Sequence, residues 1–539
     1  MGLRYNSRNN EFFLITRDDE RAKDAGLTLS TSIRGPEGEA VYFTNSAYAA
    51  LPFYREADDD ARARLSALWG KYEKSWATTT TNKYSYGQAA KDMGLAPMDF
   101  QNAGVDYMLE QDNTIVGDAM GLGKSMEAIL YDNTKGHEHN LIICPANTRR
   151  GWRKQVLMWS TMLNPLVYPI YKGSDGVNPY ANYTIVSYDL LQNPGIHQAL
   201  YQQRWDSIHI DEIHFLKTHD AKRTYAVFGG GRGVFAKQAI ADRAKSVNGY
   251  SGTLLPNRPR ECFTVVRNLA WQAIDYQSSD DFAYRYNPRG QLENGHWLEA
   301  KGRLPELQGR LRCNLMVRRL KEDVLKELPD KRYELTYIEP NGEIAEVLRH
   351  ERLLNFKPSD LKNPFAEIWG QISTIRLQMG LAALPRFIEH IRFMLDVVEV
   401  PKIIVASWHR QVMDKMYAAL NDKYGVVEVR GGLSAHQKEA AVQAFVDNPD
   451  KRIFHGQLLA AGVGIDGLQS VCSHCVITEP DWVPGNNEQF ADRLHRMGQH
   501  DNVIVQLMCV EDSLLERILA ANFTKLEGIH HTLDDRLIA

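Results

Sequence analysis

Thr114-Ile115-Val116-Gly117-Asp118-Ala119-Met120-Gly121-Leu122-Gly123-Lys124-Ser125 decides the fold of this 539-residue chain. A short apolar strand runs into a glycine-punctuated loop, and residues 126–131 continue with helical spacing. Strand, glycine loop, Lys-Ser and helix in this order set backbone N–H groups and a helix N-terminus around phosphate oxygens. Lys124 then reaches the β- and γ-phosphates, and the Ser125 hydroxyl ligates Mg²⁺. The strict pattern has glycine six residues before the lysine; Asp118 stands there instead.

Working outward, short apolar runs at 114–116, 141–144, 184–187 and 207–210 alternate with helical or loop segments. That alternation predicts a parallel α/β sheet. It resumes at 402–407, 426–429, 452–454, 476–478 and 503–507. Between the two, residues 286–400 are rich in Leu, Arg and Glu at helical spacing, with few strand candidates. The expected architecture is α/β: two parallel-sheet lobes with helical insertions and a small α+β N-terminal domain. Residues 1–92 read as that accessory domain plus a linker at Thr78-Thr79-Thr80-Thr81-Asn82. Residues 93–285 form the first, ATP-binding lobe and 286–400 the helical protrusions and interlobe linker. Residues 401–539 form the second lobe with C-terminal helices.

Composition fits several cores: 44% of residues are hydrophobic, 24% are charged and the net charge is −4. A disordered tail and a disulfide-stapled mini-protein are excluded. So is a protein that coats nucleic acid by bulk charge; any grip on a polyanion must come from local basic clusters. No apolar stretch is long enough to span a bilayer, and the N-terminus leads into polar residues. The six cysteines are scattered, and Cys472-Ser473-His474-Cys475 reads as buried strand thiols. A reduced, intracellular protein is expected.

Ile208-His209-Ile210-Asp211-Glu212-Ile213-His214 is a strand ending in two adjacent acids. At the C-terminal end of a strand, beside a phosphate loop, the first acid holds Mg²⁺ through its water shell and the second activates the attacking water.

With these residues in place, the chain resembles superfamily 2 motor ATPases, and within them the Swi/Snf-type double-stranded DNA translocases. The Asp118–Ser125 loop is similar to that branch's DEMGLGKT, with Ala119 for Glu and Ser125 for Thr. Pro97-Met98-Asp99-Phe100-Gln101 resembles its adenine-reading element, with Gln101 offering a donor and an acceptor. Cys144-Pro145-Ala146 and Trp152 resemble motif Ia, and Ser187-Tyr188-Asp189 motif Ib. Ser251-Gly252-Thr253 resembles motif III, with Leu254 in place of the usual Pro. His214–Lys217 and Asn257–Glu261 match runs of the annealing-helicase subgroup, and Val317–Pro329 is nearly a word-for-word Swi/Snf-type stretch. Gly431–Ser434 resembles motif IVa. Gly462–Leu468 resembles motif V, with Asp466 where the family usually shows Asn, and Gln489–Gln499 resembles motif VI. The resemblance covers about residues 93–520.

It implies two RecA-like lobes, ATP and Mg²⁺ as cofactors, and Gln101, Gly121, Gly123, Lys124, Ser125 and Gln489 at the nucleotide. Lys124, Asp211 and Glu212 carry the chemistry, with Mg²⁺ at Ser125 and, through water, Asp211. Ser251, Thr253, Gly464 and Asp466 couple ATP turnover to movement. Arg493 and Arg496, three apart and so expected on one helix face, act as arginine fingers across the closed lobes. The implied activity is a DNA-stimulated ATPase moving on duplex or branched DNA in replication, recombination or repair. Arg149, Arg150, Arg153 and Lys154 form the densest basic cluster near a nucleic-acid motif, followed by Lys217, Lys222 and Arg223. Trp408 and Trp482 are read as core residues rather than base-stacking ones. Length and compactness suit the cytoplasm of a bacterial or virus-infected cell.

Two other classes share the ATP site: a nucleotide-gated binding switch that does not translocate, and a DEAH-type helicase for RNA or single strands. Triplex displacement separates the first from a motor. Stimulation by duplex, single strand or RNA separates the second.

Overall fold

The computed structural model describes residues 2–519 except 147, 232, 253–258, 288, 294–295, 300–302, 354–367, 463, 482, 514 and 517–518. Thr253 and Trp482 therefore lie outside the described residues. The chain divides into two units, the boundary falling between Val324 and Leu325.

The first unit opens with strands Gly2–Asn6 (β1), Glu11–Thr16 (β2), Thr28–Arg34 (β3) and Ala40–Thr44 (β4). They form an antiparallel sheet in the order β1-β2-β4-β3. Alternation along these strands sends Leu3, Phe12, Leu14 and Tyr42 to one face, where Ala61 and Leu65 of the helix Asp59–Lys74 share their core. Asp58 caps that helix, its carboxylate accepting from the Ala61 N–H at 2.9 Å.

The larger sheet of this unit contains Thr114–Val116 (β5), Asn140–Cys144 (β6), Val167–Pro169 (β7), Tyr183–Ser187 (β8), Trp205–Asp211 (β9) and Ala244–Tyr250 (β10). Arg289–Glu293 (β11) and His296–Glu299 (β12) pair as a separate antiparallel ribbon. Met316–Val317 (β13) adds an edge, giving the order β13-β5-β10-β9-β6-β8-β7 with every pair parallel. β6 and β8 are buried at every position because both faces are covered. Leu141 and Ile143 enter the core on one side and Ile142 and Cys144 the core on the other.

The second unit repeats the plan with Lys331–Ile338 (β14), Ile403–Ser407 (β15), Val426–Val429 (β16), Ile453–Gln457 (β17), His474–Ile477 (β18) and Val503–Val510 (β19). Their order is β14-β19-β18-β15-β17-β16, again all parallel. Ile403 and Val405 face one core, Ile404 and Ala406 the other. The molecule is thus α/β, with two parallel-sheet lobes and a small antiparallel sheet at the N-terminus.

β7, β10 and β11 to β14 depart from the sequence reading, which has no strand at those positions. β10, Ala-Lys-Ser-Val-Asn-Gly-Tyr, is too polar to read as a strand, yet it lies between β5 and β9 with Ser246 and Asn248 buried. β14 falls in the stretch read as helical. As an edge strand it is exposed over most of its length and carries no apolar run. All six cysteines are buried and free. Among the described residues no helix is long and apolar enough to cross a membrane.

Candidate functional site

Strand register gathers the site of the first unit at one edge. Tyr250 of β10 is level with Val116 of β5 and with Asp211 of β9. The glycine loop, Ser251 and Glu212 therefore leave the sheet side by side at the C-terminal ends of parallel strands, where α/β proteins hold ligands.

Gly121 and Gly123 have φ of 86° and 85°, a left-handed backbone that turns the loop into the helix Lys124–Lys135. Lys124 Nζ donates to the carbonyls of Asp118 at 2.8 Å and Ala119 at 3.2 Å, so it spans the loop's mouth. Burial pulls its ammonium below the usual value, and Glu212, Asp118 and Asp211 oppose that. Gln101 is buried under the loop. Its Nε2 donates to the Leu122 carbonyl at 2.9 Å, and its Oε1 accepts from the Met98 N–H at 2.8 Å. Both ends of the amide thus brace the backbone around the loop.

Asp118 explains its place in a glycine position. It is fully buried and faces Arg319, which donates to it from Nε at 3.0 Å, from NH2 and from its backbone N–H at 2.9 Å. Arg319 NH2 also reaches Glu127 at 3.0 Å. Burial pushes Glu127 up to about 8, with Arg319 acting against it. A Cβ on Gly104 would strike Glu127 Oε2 and come within 2.6 Å of Arg319 NH2. Gly104→Ala is therefore expected to destabilise the chain by about 1–3 kcal/mol. A denaturant midpoint equal to wild type would contradict this close packing.

Asp211 and Glu212 have separate surroundings. Trp152 Nε1 donates to Asp211 Oδ2 at 2.9 Å, and the Thr148 hydroxyl approaches the same oxygen at 3.4 Å. Burial, then the neighbouring Glu212, pushes Asp211 up to about 7. The half-buried Asp211 carboxyl and the Ser125 hydroxyl at the helix start are hard oxygen donors of the kind Mg²⁺ prefers. The cation's charge would also offset the burial that raises Asp211, so the donor set fits the metal. Glu212 sits at φ 53°, a conformation uncommon outside glycine, which turns its carboxylate to Ser251 Oγ at 3.3 Å. His214 Nδ1 lies 2.8 Å from the same hydroxyl and 3.3 Å from Glu212 Oε2. Burial holds His214 down at about 3, so the imidazole is neutral.

Of the basic cluster, Arg150, Arg153 and Lys154 are exposed on the helix Arg149–Trp159, whose other face buries Trp152, Val156 and Trp159. Arg149 is different. Its Nε donates to the Ala146 carbonyl at 3.0 Å, its NH1 to that of Ile170, and it lies over Tyr171. Lys217 pairs with Glu261 at 3.0 Å.

In the second unit, Gln489 is buried on the helix Pro484–Ala491, which ends before the two arginines. Residues 492–494 are turn and 495–496 bend, with N–H bonds from Arg493 to Phe490 and from Arg496 to Leu494. The expected shared helix face is thus corrected: tightened turns replace it. Both side chains nevertheless meet at the Ile465 carbonyl, at 2.8 Å from Arg493 NH1 and 3.4 Å from Arg496 NH1. Arg493 is buried and also donates to Gly462 O. Arg496 pairs with the exposed Asp466 at 3.0 Å. Gly464 is exposed with φ 73°. Trp408 is half-buried, with Arg376 5.0 Å from its ring centre.

Sequence reasoning left Trp152, His214, Glu127 and Arg319 without roles at the site. Asp118 was the available signal, because a carboxylate inside a glycine loop requires a buried cation.

The description "SNF2-related domain" matches residues 100–356, and "Helicase conserved C-terminal domain" matches residues 386–498. A Caenorhabditis elegans protein, SWI/SNF-related matrix-associated actin-dependent regulator of chromatin subfamily A-like protein 1 homolog, is 29% identical over 419 residues. That alignment covers 76% of this chain and 58% of the relative. The human DNA annealing helicase and endonuclease ZRANB3 is 25% identical over 427 residues, 77% of this chain and 38% of its own. The chain thus spans between 38% and 58% of the length of these two relatives. The solved Sulfolobus solfataricus SWI2/SNF2 ATPase core in complex with dsDNA is 19% identical, with a TM-score of 0.37. It covers 81% of this chain and 97% of the solved one.

Proposed function

Because this chain belongs to the SNF2-related branch of the superfamily 2 helicases, we propose that it is a DNA-stimulated ATPase that moves along duplex or branched DNA. The observation that carries this is the convergence of Lys124, Asp211, Glu212 and Ser251 at one edge of the first sheet.

Lys124 and the loop N–H groups would receive the phosphates of ATP, and Ser125 and, through water, Asp211 would hold Mg²⁺. The metal supplies charge neutralisation on the phosphate oxygens. Glu212 takes the proton of the attacking water. The neutral His214 and Ser251 hold its carboxylate in position, so motif III senses whether that carboxylate is engaged.

Arg493 and Arg496 take different parts. Arg493 is buried and keeps the Gly462 and Ile465 carbonyls in place. Arg496 is tied through Asp466, whose carboxylate is 76% exposed, and such a pair is worth about 0–1 kcal/mol. It can exchange that partner for the γ-phosphate, where a finger contributes far more. ATP turnover therefore depends on Arg496, and cycles of its engagement drive stepping.

Grip on DNA comes from Arg150, Arg153 and Lys154, with Arg149 anchoring their helix. Replacing the three by Ala should flatten the log–log salt slope of duplex binding by about 2–3 units, near 0.9 per lost phosphate contact. ATP turnover without DNA should survive. An unchanged slope would remove this helix from the track.

The relatives' names support a role in DNA annealing or remodelling. Both relatives come from animals, which gives no support to a bacterial or viral host. ATP turnover compared with duplex, branched and single-stranded DNA and with RNA tests the proposal. Duplex or branched DNA should stimulate most. Strongest stimulation by RNA or single strands would overturn it.

A further inference from the structure

Ser75 ends the helix Asp59–Lys74 of the N-terminal domain. Its carbonyl accepts from Arg312 NH1 at 3.2 Å and from the Arg318 N–H at 3.5 Å. The Arg312 guanidinium lies on the next residue, 3.3 Å from the centre of the Trp76 ring, and also donates to the Arg318 carbonyl at 3.1 Å. Arg318 NH1 in turn donates to the carbonyls of Gly117, at 2.5 Å, and Gly252, at 3.0 Å. Arg319 closes on Asp118 and on the Phe100 carbonyl. Through their side chains and the Arg318 backbone, the three arginines thus link the N-terminal domain to the phosphate loop.

The backbone follows the same line. The N–H groups of Ile115, Gly117 and Ala119 donate to the carbonyls of Leu315, Val317 and Arg319, at 2.7, 2.8 and 3.0 Å. The start of the phosphate loop therefore continues the pairing of β5 with the edge strand β13, and the position of that strand sets where the loop begins.

Arg312, Arg318 and Arg319 are 0%, 6% and 1% exposed. Burying three cations is costly, and an apolar core of equal volume would be at least as stable. What their planar forks add is fixed geometry: each binds two or more acceptors at once, so displacement of one end moves the other. We propose that Arg312, Arg318 and Arg319 form a ladder through which the N-terminal domain positions the phosphate loop, making residues 1–77 a determinant of ATP turnover. They are positioning residues. The inference rests on the reading of the loop as an ATP site.

The test uses the full chain with saturating duplex DNA and compares wild type, Trp76→Ala, Trp76→Phe, Arg319→Lys and the Trp76→Ala/Arg319→Lys double variant. Turnover, KM for ATP and thermal midpoint are measured for each. Trp76→Ala strips the far end of the ladder and should lower kcat/KM per folded molecule by about three- to thirtyfold. Trp76→Phe, which keeps a ring over Arg312, should restore most of that loss. The double variant should lose less than the product of the single losses, because both act on one chain of contacts.

A lower thermal midpoint with unchanged kcat/KM in Trp76→Ala would overturn the ladder, leaving Trp76 a packing residue. Multiplicative losses in the double variant would overturn it too. Should Arg319→Lys not fold, amide exchange at Ser75–Ala77 decides. Binding of a non-hydrolysable ATP analogue should slow exchange there in wild type and not in Trp76→Ala, since coupling is reciprocal. Equal exchange with and without the analogue would refute the proposal. A wild-type chain that neither binds nor hydrolyses ATP would remove the ATP reading itself. Normal wild-type turnover with unaffected Trp76 variants would remove only the ladder.

Discussion

Glu212→Gln should stop ATP turnover and leave ATP bound. In the proposed mechanism its carboxylate takes the proton of the attacking water, and Ser251 and the neutral His214 lie against it. An amide of the same shape keeps those contacts and cannot accept that proton. A general base contributes about 10²–10⁴-fold, so single-turnover hydrolysis should fall by at least that lower figure. Lys124→Ala should abolish turnover by another route. It removes the ammonium that spans the loop's mouth and leaves the Asp118 and Ala119 carbonyls facing the phosphates. Nucleotide affinity should collapse in Lys124→Ala and persist in Glu212→Gln. Fluorescent-nucleotide titration beside phosphate release distinguishes the two. Wild-type-like hydrolysis in either variant would remove the site assignment.

Arg496→Ala carries the other large effect. A finger supplies about 10³–10⁵ in kcat, and a loss of at least a hundredfold is the least this role allows. ATP affinity should change little, because the ground-state contacts come from the first unit. The exposed Asp466 partner is a weak anchor, so the thermal midpoint should also stay near wild type. Arg493→Ala should behave in the opposite sense. Losing its bonds strips the buried Gly462 carbonyl of this donor and leaves the Ile465 carbonyl only the 3.4 Å contact from Arg496, which should lower the midpoint by about 1–3 kcal/mol. If Arg496→Ala loses nucleotide affinity while keeping turnover at saturation, it is a binding residue.

Legibility in the sequence followed burial. β6, β8 and β15 are buried at every position because both faces of a parallel sheet are covered, and their apolar residues make each readable as a strand. β10 was not, since Ser246, Asn248 and Gly249 break the run. Gly249 is needed there because a Cβ would come within 2.3 Å of Ile213, just after the Asp-Glu pair. β14 was not either, because an edge strand in contact with water has no apolar period to show. Among the site residues, Lys124, Asp211 and Glu212 follow from local spacing. Their partners do not. Arg319 lies about two hundred positions from Asp118, and only tertiary structure brings the two charges together. Trp152, quoted as part of a motif, acquires its meaning from the Asp211 carboxylate it donates to.

The measurement that bears most directly on a motor is displacement of a third strand from a triplex by the full chain. With ATP and Mg²⁺, the chain should clear the third strand from duplex DNA, at a rate that falls with Arg496→Ala and vanishes with Glu212→Gln. Duplex-stimulated ATP turnover with the third strand left in place would contradict the account and make the chain a nucleotide-gated switch.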